Sequence, residues 1–365
     1  IANIVEFFNP FYEINVDLCG VVIFLRSDYI EATRNETFAI CPSDKKTEGI
    51  WISEYSVSLN EENCLSVQTP DIAGTFDVLF LENSGRTDTV QVLVDQSYIQ
   101  MGDYSHKVYV FDSSKAEQNT IYTIKPGHYE SKNYNYNLIV DKTMFTMADV
   151  WSYSKTDSSI LPSHFQLEWE YKNVEFEKSR LPYVNNNYYS WRVANIRSQK
   201  EGLDTAYIRI NPRSKDAEKL ILLGDPNLDY NSCETCTMIA VDTSASGYRV
   251  PFREEWNFLM RAGASTRYYW GDEGRVIAAD YSIISQYEWI NGLFDYELKP
   301  VAQLLPNAFG LYDMIGIAGE ICDNSPEGFF ICGAGYGTGG VLGKANYKSF
   351  RLIRKTPKLH KLEKF

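Results

Sequence analysis

The feature that most constrains the fold is the lack of regular hydrophobic periodicity beyond residue 97. Gly, Asn, Pro and aromatic residues are dense there, and helical patterns are confined to Met147–Ser154, Asn187–Lys200 and Arg253–Ala262. The whole chain carries 26 Tyr, 19 Phe and 7 Trp. Because disordered segments are poor in such rings, this composition predicts an irregular fold held together by specific packing.

The first 96 residues have a different pattern, with short strands, polar turns and no helix. Runs rich in β-branched and aromatic residues are Asn15–Leu25, Ile50–Leu59, Thr75–Leu81 and Thr87–Val94. Between the last two, Asn83 and Gly85 supply the positive φ that a hairpin turn needs. We predict a β-sandwich over residues 1–96, and its last hairpin resembles that of bacterial immunoglobulin-like domains of the IPT/TIG type.

The acidic charge of the chain is concentrated in this first segment. Residues 1–100 contain 5 Lys and Arg against 16 Asp and Glu, which accounts for most of the net charge of −13. This shift supports a domain boundary near residue 100. The overall charge also argues against nucleic-acid binding, which depends on Lys and Arg contacts to phosphates.

No apolar run in the sequence approaches the roughly 18–20 residues that cross a bilayer, so we expect no membrane span. The chain begins at Ile1 and not at Met, which is compatible with a leader that has been removed. By analogy with surface proteins that contain modules of similar sequence, we expect an exported protein at the cell surface or in the extracellular space.

The seven cysteines do not form a recognisable metal motif. Cys233 and Cys236 make a single CxxC, without a second pair and with only four His in the chain. A zinc site therefore has little support, and a structural pair or two free thiols is the favoured interpretation. The scattered His residues likewise show no Ser–His–Asp arrangement.

Several blocks in the second segment resemble the formylglycine-generating-enzyme, or sulfatase-modifying factor, family. The most specific are GYRVPFREEWNFLMRA, the WGD that follows it, and PVAQLLPNAFGLYDM. In order along the chain the matching blocks are Tyr98–Gly102, Asp141–Trp151, Leu181–Leu203, Gly247–Ala262, Trp270–Asp272, Pro300–Met314 and Ser349–Arg354. The resemblance implies an α+β, irregular C-type-lectin-like domain over residues 97–356. The basic residues at 357–365 predict a solvated tail, with a docking segment as the alternative.

The catalytic members of this family hold copper with two cysteines five residues apart near the C-terminus. Thiolates suit this role because they are the soft ligands that Cu(I) prefers. Aligning Gly333 and Ala334 with the family pattern puts the two positions at Gly337 and Leu342. Neither is cysteine, and Cys322 with Cys332 is a poor substitute because they are ten residues apart. We therefore expect no copper and no catalytic residue.

The family's calcium motif is also altered. Where relatives read GNVWEW, this chain has Ile317 in place of the Asn, although Glu320 survives and Asp323 is a second carboxylate nearby. Calcium takes six to eight oxygen ligands, so loss of one weakens or empties the site. Glu320 and Asp323 are the residues we assign to such a degenerate calcium site.

From these observations we predict a binding or assembly module that has lost its reaction and recognises protein or glycan, in a larger surface or virion assembly. Aromatic side chains offer contact area at a low cost in rotamer entropy. The ligand-binding candidates are Tyr268, Tyr269, Trp270, Tyr336, Asn346 and Tyr347. The alternatives are a copper-dependent formylglycine-generating oxidase and a calcium-dependent lectin-type binder.

Overall fold

The computed structural model describes most of the chain, with gaps. The described residues are 28–42, 47–61, 63–111, 124–155, 175, 179–184, 187–210, 217–219, 238–266, 268–271, 283–289, 298–323, 329–333, 348–362 and 364. The strand predicted at Asn15–Leu25 and the pair Cys233 and Cys236 lie outside these residues. The chain divides into two compact units, residues 1–100 with 356–365, and residues 101–355.

The first unit is built from short strands. They are β1 (Asp28–Ala32), β2 (Thr37–Ile40), β3 (Gly49–Ile52), β4 (Ser56–Leu59), β5 (Leu65–Gln68), β6 (Gly74–Glu82), β7 (Thr87–Val94) and β8 (Gln96–Ile99). One sheet contains β1, β7, β6 and β3 side by side, and another has β5 between β2 and β4. Buried apolar residues from both sheets, among them Ile30, Val67 and Val92, form one continuous core. The disulfide Cys41–Cys64 joins the end of β2 to the start of β5.

The predicted hairpin is confirmed. Strands β6 and β7 pair antiparallel from Gly74 opposite Val94 to Leu81 opposite Thr87. At the turn, the Gly85 N–H donates to the Glu82 carbonyl at 2.8 Å, and Gly85 has a φ of +89° that a glycine adopts without strain. The single run predicted at Ile50–Leu59 forms two strands, β3 and β4, because Glu54 and Tyr55 form a turn.

The C-terminal residues that we expected to be a solvated tail are instead part of the first unit. Strand β19 (His360–Lys361) pairs parallel with β1, and the Leu362 N–H donates to the Tyr29 carbonyl at 2.7 Å. Leu359 is 6% exposed, and Leu362 packs against the core of this unit. The basic residues suggested solvation, but the leucines between them provide apolar surface whose burial favours docking.

The second unit is mixed, strand-rich and poor in helix over the residues that are described. Its strands are β9 (Gly102–Phe111), β10 (Ile124–Tyr134), β11 (Asn137–Asp141), β12 (Tyr207–Ile210), β13 (Ala217–Lys219), β14 (Met238–Val241), β15 (Gly319–Asp323), β16 (Phe329–Cys332), β17 (Lys348–Ser349) and β18 (Ile353–Thr356). They form small separate sheets: β9 pairs with β10, β12 lies between β13 and β14, β15 lies between β16 and β17, and β11 lies beside β18.

Four helices are described in this unit: α1 (Met147–Ser154), α2 (Asn187–Lys200), α3 (Arg253–Arg261) and α4 (Ile284–Tyr287). The first three confirm the helical patterns read from the sequence. Helix α1 begins with a capping box, in which the Thr146 hydroxyl accepts from the Asp149 N–H and the Asp149 carboxylate accepts from the Thr146 N–H. In the described part of the chain, no helix is long and apolar enough to cross a membrane.

Helix α3 ends at a residue whose conformation predicts a stabilising substitution. Ala262 caps the helix with φ +47° and ψ +42°, a left-handed conformation that costs a residue with a Cβ about 1 kcal/mol. We expect Ala262→Gly to raise the free energy of unfolding by about 1 kcal/mol, measured by urea denaturation. Ala264→Gly is the control: Ala264 has no positive φ, so the same change should lower stability there. A loss of stability in Ala262→Gly would contradict the assignment.

Candidate functional site

The interior of the second unit is organised around a buried ion pair between Arg351 and Glu320. Arg351 Nε donates to Glu320 Oε2 at 2.7 Å and Nη2 donates to Oε1 at 2.6 Å. The Trp256 indole N–H donates to the same Oε2 at 2.9 Å, and the remaining guanidinium nitrogen donates to the Asp141 carbonyl at 3.1 Å. Both oxygens of Glu320 are therefore engaged by protein donors, one of which is a fixed positive charge.

This geometry does not fit the calcium site that we predicted at Glu320 and Asp323. The Arg351 guanidinium occupies the place where a cation would have to bind Glu320. The two acids are also three residues apart on β15, and a strand directs such residues to opposite faces. On its own face, Asp323 hydrogen-bonds with the Tyr207 hydroxyl; burial raises the pKa of that hydroxyl well above its usual value, and the Asp323 charge adds to the rise.

Ile317 stands at the position where the family's calcium motif has Asn. Its φ is +40°, which Asn tolerates and a β-branched residue rarely adopts. Its side chain packs in an apolar cluster with Met144, Val184 and Val301. At this position the side chain therefore provides an apolar contact and no oxygen ligand.

The two cysteines considered as substitute copper ligands form a disulfide. Cys322 on β15 and Cys332 on β16 are bonded to each other, so neither offers a thiolate in this structure. The next residue, Gly333, packs so closely that an added Cβ would lie 2.9 Å from the Met314 carbonyl oxygen. The aligned metal positions, Gly337 and Leu342, lie outside the described residues, and their identities in the sequence exclude thiolate coordination there. These residues do not fit a copper site.

Other residues of the matched blocks have structural partners. Arg249 pairs with Glu255 through two 2.7 Å hydrogen bonds, and the Tyr136 hydroxyl donates to the same carboxylate at 2.6 Å. Glu255 also accepts from the Phe252 N–H at 2.8 Å, so this acid caps helix α3. Its neighbour Glu254 is exposed. The Arg249 charge holds the pKa of Glu255 below its usual value despite burial, which acts in the opposite direction.

The Asn307–Gly310 segment, within a matched block, forms a turn. The Gly310 N–H donates to the Asn307 carbonyl at 2.9 Å, and Gly310 has a φ of +75°. The Asn307 side-chain amide donates to the Leu259 carbonyl at 2.7 Å, near the end of helix α3. This motif residue therefore ties a loop to a helix terminus and satisfies a carbonyl that the helix leaves unpaired.

Three partly exposed rings form an aromatic patch, which we define as Tyr269, Trp270 and Tyr287. Tyr269 contacts Trp270 edge-on at 4.6 Å and Tyr287 edge-on at 5.6 Å between ring centroids. Trp270 stacks on Tyr268 at 4.7 Å, but Tyr268 is only 1% exposed and so belongs to the core. Tyr336, Asn346 and Tyr347, the other ligand-binding candidates, lie outside the described residues.

Glu288 lies beside this patch and was missed by the sequence analysis. Its side chain is 2% exposed, and neither carboxylate oxygen has a hydrogen-bond partner in the described part of the chain. Burial raises the pKa of Glu288 well above its usual value. Burial also raises the pKa of the Tyr269 hydroxyl, and the Glu288 charge adds to this. The only sequence signal was an acid flanked by two rings, Tyr287 and Trp289.

Together, the small sheets, short helices and buried Arg–Glu pairs define an irregular α+β domain whose motif residues hold the fold. The chain belongs to the family of sulfatase-modifying factor enzyme 1-like domains, whose model matches residues 42–340. That match begins inside the segment for which we predicted a separate β-sandwich. Membership defines the type of domain and does not by itself assign an activity.

Three solved structures are similar to the chain at low sequence identity. The Treponema denticola variable protein 1 is 18% identical with a TM-score of 0.47, over 77% of this chain and 99% of that one. CarF is 19% identical with a TM-score of 0.42, over 72% and 98%. PvdO from Pseudomonas aeruginosa is 14% identical with a TM-score of 0.42, over 72% and 94%. No curated protein sequence matches the chain.

Proposed function

We propose that this chain is a non-catalytic binding or assembly module that recognises a protein or glycan outside the cell. The observation that carries the proposal is the absence of paired thiolates where the family's reaction needs them. Gly337 and Leu342 occupy the aligned metal positions, and the substitute pair Cys322 and Cys332 is joined in a disulfide. Copper oxidation of a target cysteine has no ligand set here.

The buried ion pairs of the domain agree with this proposal. Arg351 with Glu320, and Arg249 with Glu255, are buried pairs that connect distant parts of the chain. Breaking such a pair leaves an uncompensated buried charge, so the pairs are retained for the fold whether or not a reaction survives. A scaffold of this kind leaves its surface free to change.

We place the binding surface at the aromatic patch together with Tyr336, Asn346 and Tyr347. Partly exposed Tyr and Trp side chains are enriched at recognition surfaces because they combine apolar area with a polar tip. Tyr287 joins the group because it contacts both Tyr269 and Trp270.

Two further observations support an exported protein with an immunoglobulin-like first unit. Cys41–Cys64 and Cys322–Cys332 are disulfides, and such bonds persist mainly in oxidising compartments. The first unit has two sheets around one core, which is the layer arrangement of a β-sandwich. We propose a surface or extracellular assembly as the setting.

Incubation with Cu(I) and a cysteine-containing sulfatase-motif peptide tests the loss of catalysis. We expect no stoichiometric copper uptake and no aldehyde on the peptide by mass spectrometry. The reason is that neither Cys322 with Cys332 nor the aligned positions Gly337 and Leu342 provide a pair of thiolates. An active formylglycine-generating enzyme is the positive control. Aldehyde formation that is faster with this chain than with the peptide and copper alone would establish the oxidase instead.

A calcium-dependent lectin is the second alternative, and the same preparation distinguishes it. Because Glu320 is paired with Arg351, we expect the melting temperature to be unchanged by calcium or by a chelator. A rise in melting temperature with calcium, together with glycan-array signals abolished by chelator, would replace the proposed module with a calcium lectin.

A further inference from the structure

Glu288 is a buried acid whose pKa is raised by burial, so its ionisation requires a compensating positive charge nearby. An ionised carboxylate that is buried without partners costs several kcal/mol, which is why nearly all buried acids are paired or hydrogen-bonded. Both oxygens of Glu288 are inaccessible to solvent and lack hydrogen-bond donors among the described residues. A bound positive charge would compensate this carboxylate.

The surroundings of Glu288 determine which kind of cation fits. In the described part of the chain, no three His, Cys, Asp or Glu side chains are close enough to hold a metal ion, whereas calcium takes six to eight oxygens. Glu288 is instead flanked along the chain by Tyr287 and Trp289, and Tyr287 contacts Tyr269 and Trp270 of the patch. A carboxylate next to aromatic side chains suits an organic ammonium group.

The aromatic patch provides the connection to solvent. Tyr269, Trp270 and Tyr287 are each partly exposed, whereas the carboxylate beside them is not. Tyr269 and Tyr287 meet edge-on, with their rings at 87° to each other, and the Tyr269 hydroxyl is 3.4 Å from the Tyr287 carbonyl oxygen. A slender ligand that displaces one of these rings would reach Glu288 while its alkyl stem remains against the others.

We propose that Glu288 and the aromatic patch form a recognition site for a primary alkylammonium group, the side chain of a lysine on a protein partner. This inference rests on the proposed binding function and names the ligand chemistry of that surface. The four-carbon stem of lysine packs on rings while its ammonium donates up to three hydrogen bonds to the carboxylate.

Calorimetric titration of the full chain with Nα-acetyl-lysine methylamide tests the site. We expect saturable one-to-one binding, and no binding of the uncharged analogue Nα-acetyl-norleucine methylamide, which has a similar stem. Glu288→Gln preserves the shape of the side chain and removes its charge, so it should weaken lysine binding roughly tenfold or more. Glu254→Gln, which changes an exposed acid on helix α3, should leave the affinity unchanged.

A second variant and two other ligands complete the test. Tyr287→Leu should also weaken binding, and it serves if Glu288→Gln fails to fold by circular dichroism. Equal binding of the norleucine analogue, or unchanged affinity in the folded Glu288 variant, would overturn the proposal.

Preferential binding of choline would assign a quaternary ammonium ligand in place of lysine, and calcium binding lost in Glu288→Gln would assign a metal. Absence of lysine binding by a chain that still binds a glycan or protein partner would reject this site and leave the proposed function standing.

Discussion

Replacing Arg351 with methionine is expected to lower the free energy of unfolding by about 3–5 kcal/mol. The substitution keeps a long apolar side chain but removes both hydrogen bonds to Glu320. It also removes the donors to the Asp141 and Tyr312 carbonyls. The Glu320 carboxylate is then buried with the Trp256 indole as its only remaining donor in the described structure. Urea denaturation at pH 7, followed by tryptophan fluorescence, measures the loss.

Two controls separate the buried charge from the lost packing. The double variant Arg351→Met with Glu320→Gln removes the uncompensated charge, so it should regain part of the stability lost in the single variant. Lys361→Met removes the partly exposed pair with Glu31, whose closest atoms are 3.8 Å apart, and should cost less than about 1 kcal/mol. An Arg351 variant no less stable than the Lys361 variant would show that the buried pair does not hold the fold.

Asp313→Asn is expected to stabilise the protein, and the gain should depend on pH. Burial raises the pKa of Asp313 to about 6, an effect that the Glu320 charge increases and that the Arg351 and Arg180 charges and the Ala302 N–H oppose. The folded carboxyl therefore holds its proton more tightly than the unfolded one. Stability contributed by the protonated form is present below about pH 4 and is lost as pH rises through 6. Above pH 6, the loss in the free energy of unfolding that corresponds to this pKa shift is about 3 kcal/mol.

Asparagine suits this position because it removes the charge and keeps the local geometry. Asp313 has a φ of +54°, which Asn tolerates, and an amide oxygen can still accept the Ala302 N–H that now donates at 2.7 Å. We expect a gain of up to about 3 kcal/mol at pH 8 and almost none at pH 4, from urea midpoints across this range. Asp242→Asn is the control with the opposite expected sign. Hydrogen bonds from Ser244 lower the pKa of Asp242, so this substitution should not stabilise the protein at pH 8. An equal gain at both pH values would contradict the explanation.

The local parts of the fold were predictable because short-range rules govern them. The bounds of helices α1 and α2 and the β6–β7 hairpin follow from periodicity and turn residues within each segment. The Asn307–Gly310 turn likewise depends on a local rule, because Gly310 accepts a positive φ that other residues resist. The C-terminal strand was predicted as a solvated tail because its residues are basic. Its pairing with β1, more than 300 residues away in the chain, could not be read from the sequence.

The candidate site was less accessible to sequence reasoning. Trp270 was found because it stands in a family block, and Tyr268 and Tyr269 because they precede it, but Tyr268 is buried. Tyr287 and Glu288 stand outside the matched blocks, and nothing in their order shows that they meet Tyr269. Glu320 was recognised as a motif residue, yet its partner Arg351 is 31 residues away.

The sequence alone determined that the chain carries this domain and has no cysteine at Gly337 and Leu342, the positions aligned with the family's copper ligands, because residue identity is enough to establish both. Only the tertiary structure decided what the remaining polar residues do. Glu320 is an arginine partner and Glu288 is a buried acid without a described donor, although both are glutamates with the same intrinsic chemistry. The physical reason is that the free energy of a carboxylate depends on its solvation and on nearby charges, and distant parts of the chain supply both only when it folds.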